Sequence, residues 1–174
     1  MKRNYLKKTC LAGLTVVLLN TLTACALSDT SNEISEPAKR VIEAMMTAPN
    51  EELFNPDCIT NIGLEAEFSP EDSDKSAEAW DEMEGNWEKE VGDCFAEGKL
   101  DEFLTEGPGT LWLGNAYVSD TEVSVGEMTL QEKSENTEQV LVNLQNGGET
   151  EEVLVTFQYD DDSLITSVIF EEQS

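Results

Sequence analysis

The spacing of apolar side chains along this chain changes once. Up to about Gly109 they recur at helical intervals, and beyond it they alternate. Ala38, Val41, Ile42, Met45 and Met46 fall at i, i+3, i+4, i+7 and i+8, which predicts a helix over 36–47 with one apolar stripe. Pro37 suits its first turn and Pro49 ends it, and Asn50 to Phe54 have room for one further turn before Pro56. Ser69-Pro70-Glu71-Asp72 reads as a second helix start: a capping hydroxyl, proline in the first turn, and acids at the positive end of the dipole. Its apolar positions are Ala77, Trp80, Met83, Trp87, Val91, Cys94 and Phe95, with Gly85 and Gly92 predicting a break or bend. Leu100, Phe103 and Leu104 mark a short third helix, closed by Gly107-Pro108-Gly109.

After Gly109 the period is 2, and five strands are expected near 110–118, 121–131, 138–146, 151–159 and 164–170. Val140, Val142 and Leu144 alternate with polar or opposite-facing neighbours, as do Val153, Val155, Phe157 and Tyr159. Val123 and Val125 change phase to Met128 and Leu130 across Gly126, the mark of a bulge. Ser119-Asp120, Asn146-Gly147-Gly148 and Asp160-Asp161-Asp162 are short links, so neighbouring strands run antiparallel. Helices followed by a bent antiparallel meander of about five strands give an α+β fold in one domain over 36–174. The layout resembles the cystatin-like roll and the related cone-shaped fold of the nuclear-transport-factor-two-like superfamily. The closing hairpin from Tyr159 to Val168, joined by an acidic turn, is similar to the last hairpin of many such domains. That resemblance is architectural and implies no particular activity.

Charge narrows the function. The chain carries 37 acidic and 10 basic side chains, no histidine, and a net charge of −27. Four of the bases, Lys2, Arg3, Lys7 and Lys8, lie in the first eight residues, and no acid precedes Asp29. The rest of the chain holds Lys39, Arg40, Lys75, Lys89, Lys99 and Lys133 against all the acids. Such a surface repels phosphate backbones and anionic headgroups, so nucleic-acid binding and basic-patch membrane binding are excluded. Without histidine there is no His-based triad and no His-ligated metal. A basic protein or peptide is the partner this charge would attract.

The N-terminal residues read as an address. A basic start precedes the apolar run Leu11 to Leu19, and the segment ends in Leu22-Thr23-Ala24-Cys25. This ending resembles the bacterial lipobox. The resemblance implies a lipoprotein signal peptide over 1–24, cleavage before Cys25, and a diacylglyceryl group (with palmitate-type acyl chains) on the Cys25 sulfur. The protein would then sit on the extracytoplasmic face of the cell membrane, held by that lipid. Thr9 to Ser28 is also 20 uncharged residues, long enough for a plain transmembrane anchor. Asn20, Thr21 and Thr23 dilute that alternative at its apolar end. Residues 25–35 are rich in Ser, Thr, Asn and Asp and read as a lipidated flexible tether.

Cys10 leaves with the signal, which leaves Cys58 and Cys94 as an even pair in an oxidising compartment. A disulfide between them is expected, two free buried thiols being the alternative. Neither lies in a Cys-x-x-Cys motif, which argues against redox chemistry. Asp72-Ser73-Asp74 and Asp160-Asp161-Asp162 lack the glycine and glutamate of an EF-hand loop, so no metal site is expected. Tyr117 and Tyr159 are expected to pack on strands, and Trp80 and Trp87 to share a core stripe. Trp112 alternates against Leu111 and Leu113, which sets it on the opposite side of its strand and makes it the first aromatic to check for exposure. The inward strand faces show no acid among Val140, Val142, Leu144, Val153, Val155 and Phe157, which places the carboxylates in turns and on helical faces. The expectation is a non-catalytic binding or accessory domain with no cofactor. A carboxylate-dependent isomerase or hydrolase and an acidic structural envelope protein are the alternatives.

Overall fold

The computed structural model describes residues 33–61, 70–106 and 108–173. The expected signal, Cys25, most of the tether and the Ser69 cap lie outside the described residues. Ser35 caps the first helix, α1 (Glu36–Met46), accepting the Ala38 N–H on its hydroxyl at 3.3 Å. The expected stripe, Ala38, Val41, Ile42, Met45 and Met46, is buried. A turn follows in which the Asn50 side chain accepts the N–H groups of Glu52 and Leu53, and then a 3₁₀ segment, Pro56–Asn61.

The second helix, α2 (Pro70–Val91), is a single element. It runs through Gly85, and a short 3₁₀ turn begins only at Gly92. Its buried face is Ser76, Ala79, Met83, Trp87 and Val91, whereas Ala77 is exposed and Trp80 half-buried. The true stripe follows a strict four-residue spacing from Ala79, two positions after the expected start at Ala77. Helix α3 (Lys99–Thr105) buries Leu100, Phe103 and Leu104 as expected.

One expectation fails outright. Residues 110–118 are not a strand: Leu111–Ser119 form a fourth helix, α4, so the sheet has four strands instead of five. A short, nearly continuous apolar run does not distinguish helix from strand by period. The burial of Trp112, Leu113 and Ala116, at i, i+1 and i+4, belongs to a helix. Trp112 therefore turns inward and is buried, with its ring 5.8 Å from that of Phe170, and Tyr117 is exposed. Tyr117, expected to pack, lies open, and Trp112, the aromatic singled out for exposure, is the one that packs.

The strands are β1 (Val123–Lys133), β2 (Thr137–Asn146), β3 (Glu149–Tyr159) and β4 (Ile165–Gln173), in sheet order β1-β2-β3-β4 and antiparallel throughout. The expected bulge lies between Val125 and Met128. Gly126 is required there, because a β-carbon would sit 2.9 Å from the Asn143 carbonyl oxygen. The β2–β3 turn uses Gly147 and Gly148 at φ of 57° and 95°. The inward face of the sheet buries Val140, Val142, Leu144, Val153, Val155 and Phe157 in one core with α1, α2 and α3. Two backbone bridges, Ala48 with Val123 and Phe95 with Ile165, tie the helical half to both edge strands. No helix among the described residues is long and apolar enough to cross a membrane.

Candidate functional site

The start of α1 meets the sheet at Glu138, the one buried carboxylate among the described residues. Glu138 lies on β2 in the same phase as Val140 and Val142, so the alternation that fills the core also points this acid inward. Its Oε1 accepts the Ser35 backbone N–H at 2.7 Å. Its Oε2 accepts the Tyr159 hydroxyl at 2.9 Å and lies 3.6 Å from Lys133 Nζ. Lys133 also donates to the Glu33 carbonyl at 3.0 Å. The Ser35 hydroxyl is 3.0 Å from the phenol oxygen. Since the phenol donates to Glu138, Ser35 donates to the phenol and accepts from Ala38. Burial, reinforced by Glu138 against the opposing pull of Ser35, holds the Tyr159 phenol well above its usual range. Tyr159 therefore keeps the proton it donates.

The expectation that all acids are solvated is thus corrected. Two hydrogen bonds, from Ser35 and Tyr159, and the ion pair with Lys133 offset the cost of burying Glu138. The signal was present in its parity with Val140 and in Lys133, its cross-strand partner, which the expected end of the strand at residue 131 left out. A carboxylate beside a phenol is a proton-transfer pair in principle. Here both oxygens are engaged by protein donors, and Glu138 lines none of the three clefts described below. The arrangement fastens Glu33 and Ser35 to β1, β2 and β3.

Nearby, the Arg40 guanidinium meets Asp93 at 2.9 and 3.0 Å and donates to the Glu90 carbonyl. This contact lowers the Asp93 carboxyl and raises Arg40. It joins α1 to the end of α2.

The expected Cys58–Cys94 disulfide is not formed; both are buried free thiols. Their surroundings differ. Cys94 feels Arg40, Asp93 and Glu36 at the start of α1, whereas Cys58 feels Asp57 in the 3₁₀ segment. Burial, helped by Asp57, pushes the Cys58 thiol up to about 11. At pH 8 it should hold about a hundredfold less thiolate than an ordinary cysteine. Alkylation of the native protein at that pH is therefore expected to spare Cys58, and alkylation after unfolding without reductant should label both residues. Recovery of a linked Cys58–Cys94 peptide would restore the bridge.

Three clefts are formed by described residues. The largest of these three, about 890 Å³, lies between α1, α2 and the start of β1 and is lined by Glu43, Glu52, Glu82 and Glu90 with Lys89. A small one, about 200 Å³, includes Trp112, whose Nε1–H meets no acceptor among the described residues, together with Asn146 and Glu151. The third, about 620 Å³, separates α4 from the segment after α1, with Phe54 and Tyr117 among its walls. No group of acids or cysteines among the described residues has the geometry of a metal site, and Asp160 spends its carboxylate on the N–H groups of Asp162 and Leu164. No family model, no curated protein and no solved structure matches this chain.

Proposed function

We propose that the chain is a lipoprotein held on the extracytoplasmic face of the cell membrane through a lipid on Cys25, and that its domain is a non-catalytic accessory module that binds a protein partner. The observation that carries this reading is the Leu22-Thr23-Ala24-Cys25 ending, placed after a basic start and an apolar run and ten positions before the Ser35 cap of α1. The fastened junction supports it. A domain on a lipid leash is pulled at its N-terminus when it engages a partner. The contacts of Glu33 and Ser35 with Lys133, Glu138 and Tyr159 pass that load into the sheet instead of peeling α1 away.

The test is chemical. The wild-type chain, expressed in a bacterium fed an alkyne fatty acid, should incorporate the label. Its mature N-terminal peptide should begin at Cys25 with a diacylglyceryl mass. Cys25→Ala should lose both. Labelling that survives Cys25→Ala, or an unmodified Cys25 in the wild type, would overturn the anchor.

A further inference from the structure

Alone among the described helices, α4 has no charged side chain. Yet it lies at the surface of a chain with 27 net negative charges. Leu111, Tyr117 and Val118 are 48%, 56% and 75% exposed, three of the four large apolar side chains left open to solvent among the described residues. Tyr117 also borders the 620 Å³ groove, where its ring stands 5.6 Å from that of Phe54. Gly114 makes this wall possible: a β-carbon there would come within 3.3 Å of the Phe54 ring. Pro49 and Pro56 form the opposite side, and the rim carries Glu51, Asp120 and Glu122. No lysine or arginine lines the groove. None of these three acids is ion-paired among the described residues, whereas Lys39, Arg40, Lys99 and Lys133 each have a carboxylate partner.

We propose, resting on the partner-binding reading above, that this groove docks a protein segment bearing a lysine or arginine next to an apolar side chain. The cation lies over the Tyr117 ring within reach of Asp120, Glu122 and Glu51. The apolar neighbour packs against Pro49, Pro56 and Phe54. Charge selects this occupant. An anionic lipid surface is repelled by the three rim acids. A second copy in two-fold contact would set those acids against themselves. The larger cleft has more acids but no aromatic wall, which makes it the internal control. Aromatic face and carboxylates together recognise a cation better than either alone, because the ring attracts charge without demanding full hydration.

The test uses the full chain in nonionic detergent and the probe acetyl-Leu-Arg-Leu-Arg-Leu-amide, followed by calorimetry and amide NMR. Saturable binding that weakens with salt is expected, with shifts centred on Phe54, Gly114 and Tyr117. Tyr117→Ala should weaken the probe about five- to tenfold. The combined Glu51→Gln, Asp120→Asn, Glu122→Gln variant should weaken it further. Glu43→Gln, Glu82→Gln, Glu90→Gln in the larger cleft should leave it within about twofold. The rim-acid variant decides the matter even if Tyr117→Ala disturbs α4. No saturable binding by the wild type, or equal weakening by both acid triples, would overturn the groove. The Cys25→Ala chain should bind the probe as the wild type does. In the wild-type chain, probe binding without lipid labelling would sink the anchor alone, and lipid labelling without probe binding would sink the groove alone.

Discussion

Replacing Trp87 with alanine is expected to lower the stability of the domain by about 3–5 kcal/mol, read from the midpoint of chemical denaturation. Trp87 is the largest of the fully buried side chains. Its ring meets Phe103 edge-on at 5.9 Å and an interplanar angle of 74°, joining α2 to α3. Its Nε1–H donates to the Leu53 carbonyl at 2.8 Å, and the neighbouring Asn86 amide donates to the Glu52 carbonyl at 2.9 Å. One turn of α2 therefore fixes the backbone just before Phe54. Alanine leaves a cavity and an unmet buried carbonyl at once. Trp87→Phe fills most of the space but still orphans Leu53, and should cost about 1–2 kcal/mol. The link reaches function through Phe54. If Leu53 loosens, the aromatic wall facing Tyr117 loosens with it, so Trp87→Phe should also weaken the basic probe. A loss below about 1 kcal/mol for Trp87→Ala would mean that α2 stands outside the cooperative core.

The same residues show what could be read without coordinates. The α+β order, the α1 stripe and the Gly126 bulge were legible because each is written as a period or as a break in one. The Trp87 anchor was half legible: its stripe announced burial, but its carbonyl partner 34 positions earlier in the chain was out of reach. Helix α4 was misread because Leu111 to Val118 is apolar on nearly every side, and only packing decides which residues turn in. That error hid the groove, since a strand would have placed Tyr117 and Trp112 on opposite sides of a sheet. The missing bridge has a similar cause. The even count of Cys58 and Cys94 speaks to compartment, while pairing needs geometry that spacing does not carry. Glu138 was visible in principle, being in phase with Val140. A lone acid at a strand end is normally solvated, however, and its partners Ser35 and Tyr159 are 103 and 21 positions away.

Glu138→Ala is the second large effect, about 3–5 kcal/mol of stability lost, and its sign runs against the charge of the protein. In a chain of net charge −27, deleting an acid should on average relieve repulsion. Neutralising an exposed one, such as Glu127→Gln on β1, is expected to change stability by no more than about 0.5 kcal/mol. Glu138 differs because two donors and a cation converge on it from three parts of the chain. Its removal leaves the Ser35 N–H, the Tyr159 hydroxyl and the largely buried Lys133 ammonium without their acceptor. Glu138→Gln keeps one acceptor oxygen but turns a donor toward either Tyr159 or Ser35, and should cost less, about 1–3 kcal/mol. Removing both charges, Glu138→Leu with Lys133→Met, should recover only the part of the loss that comes from Lys133, because the Ser35 N–H and the Tyr159 hydroxyl still lack their acceptor. The local readout is hydrogen exchange at the Ser35 amide, whose protection depends on Glu138 Oε1. In Glu138→Ala it should exchange faster than the amides inside α1, so that the junction opens before the helix does. A Glu138→Ala chain as stable as the wild type, with Ser35 still protected, would mean that α1 packing alone holds the start of the domain and that the tether is not fastened to the sheet.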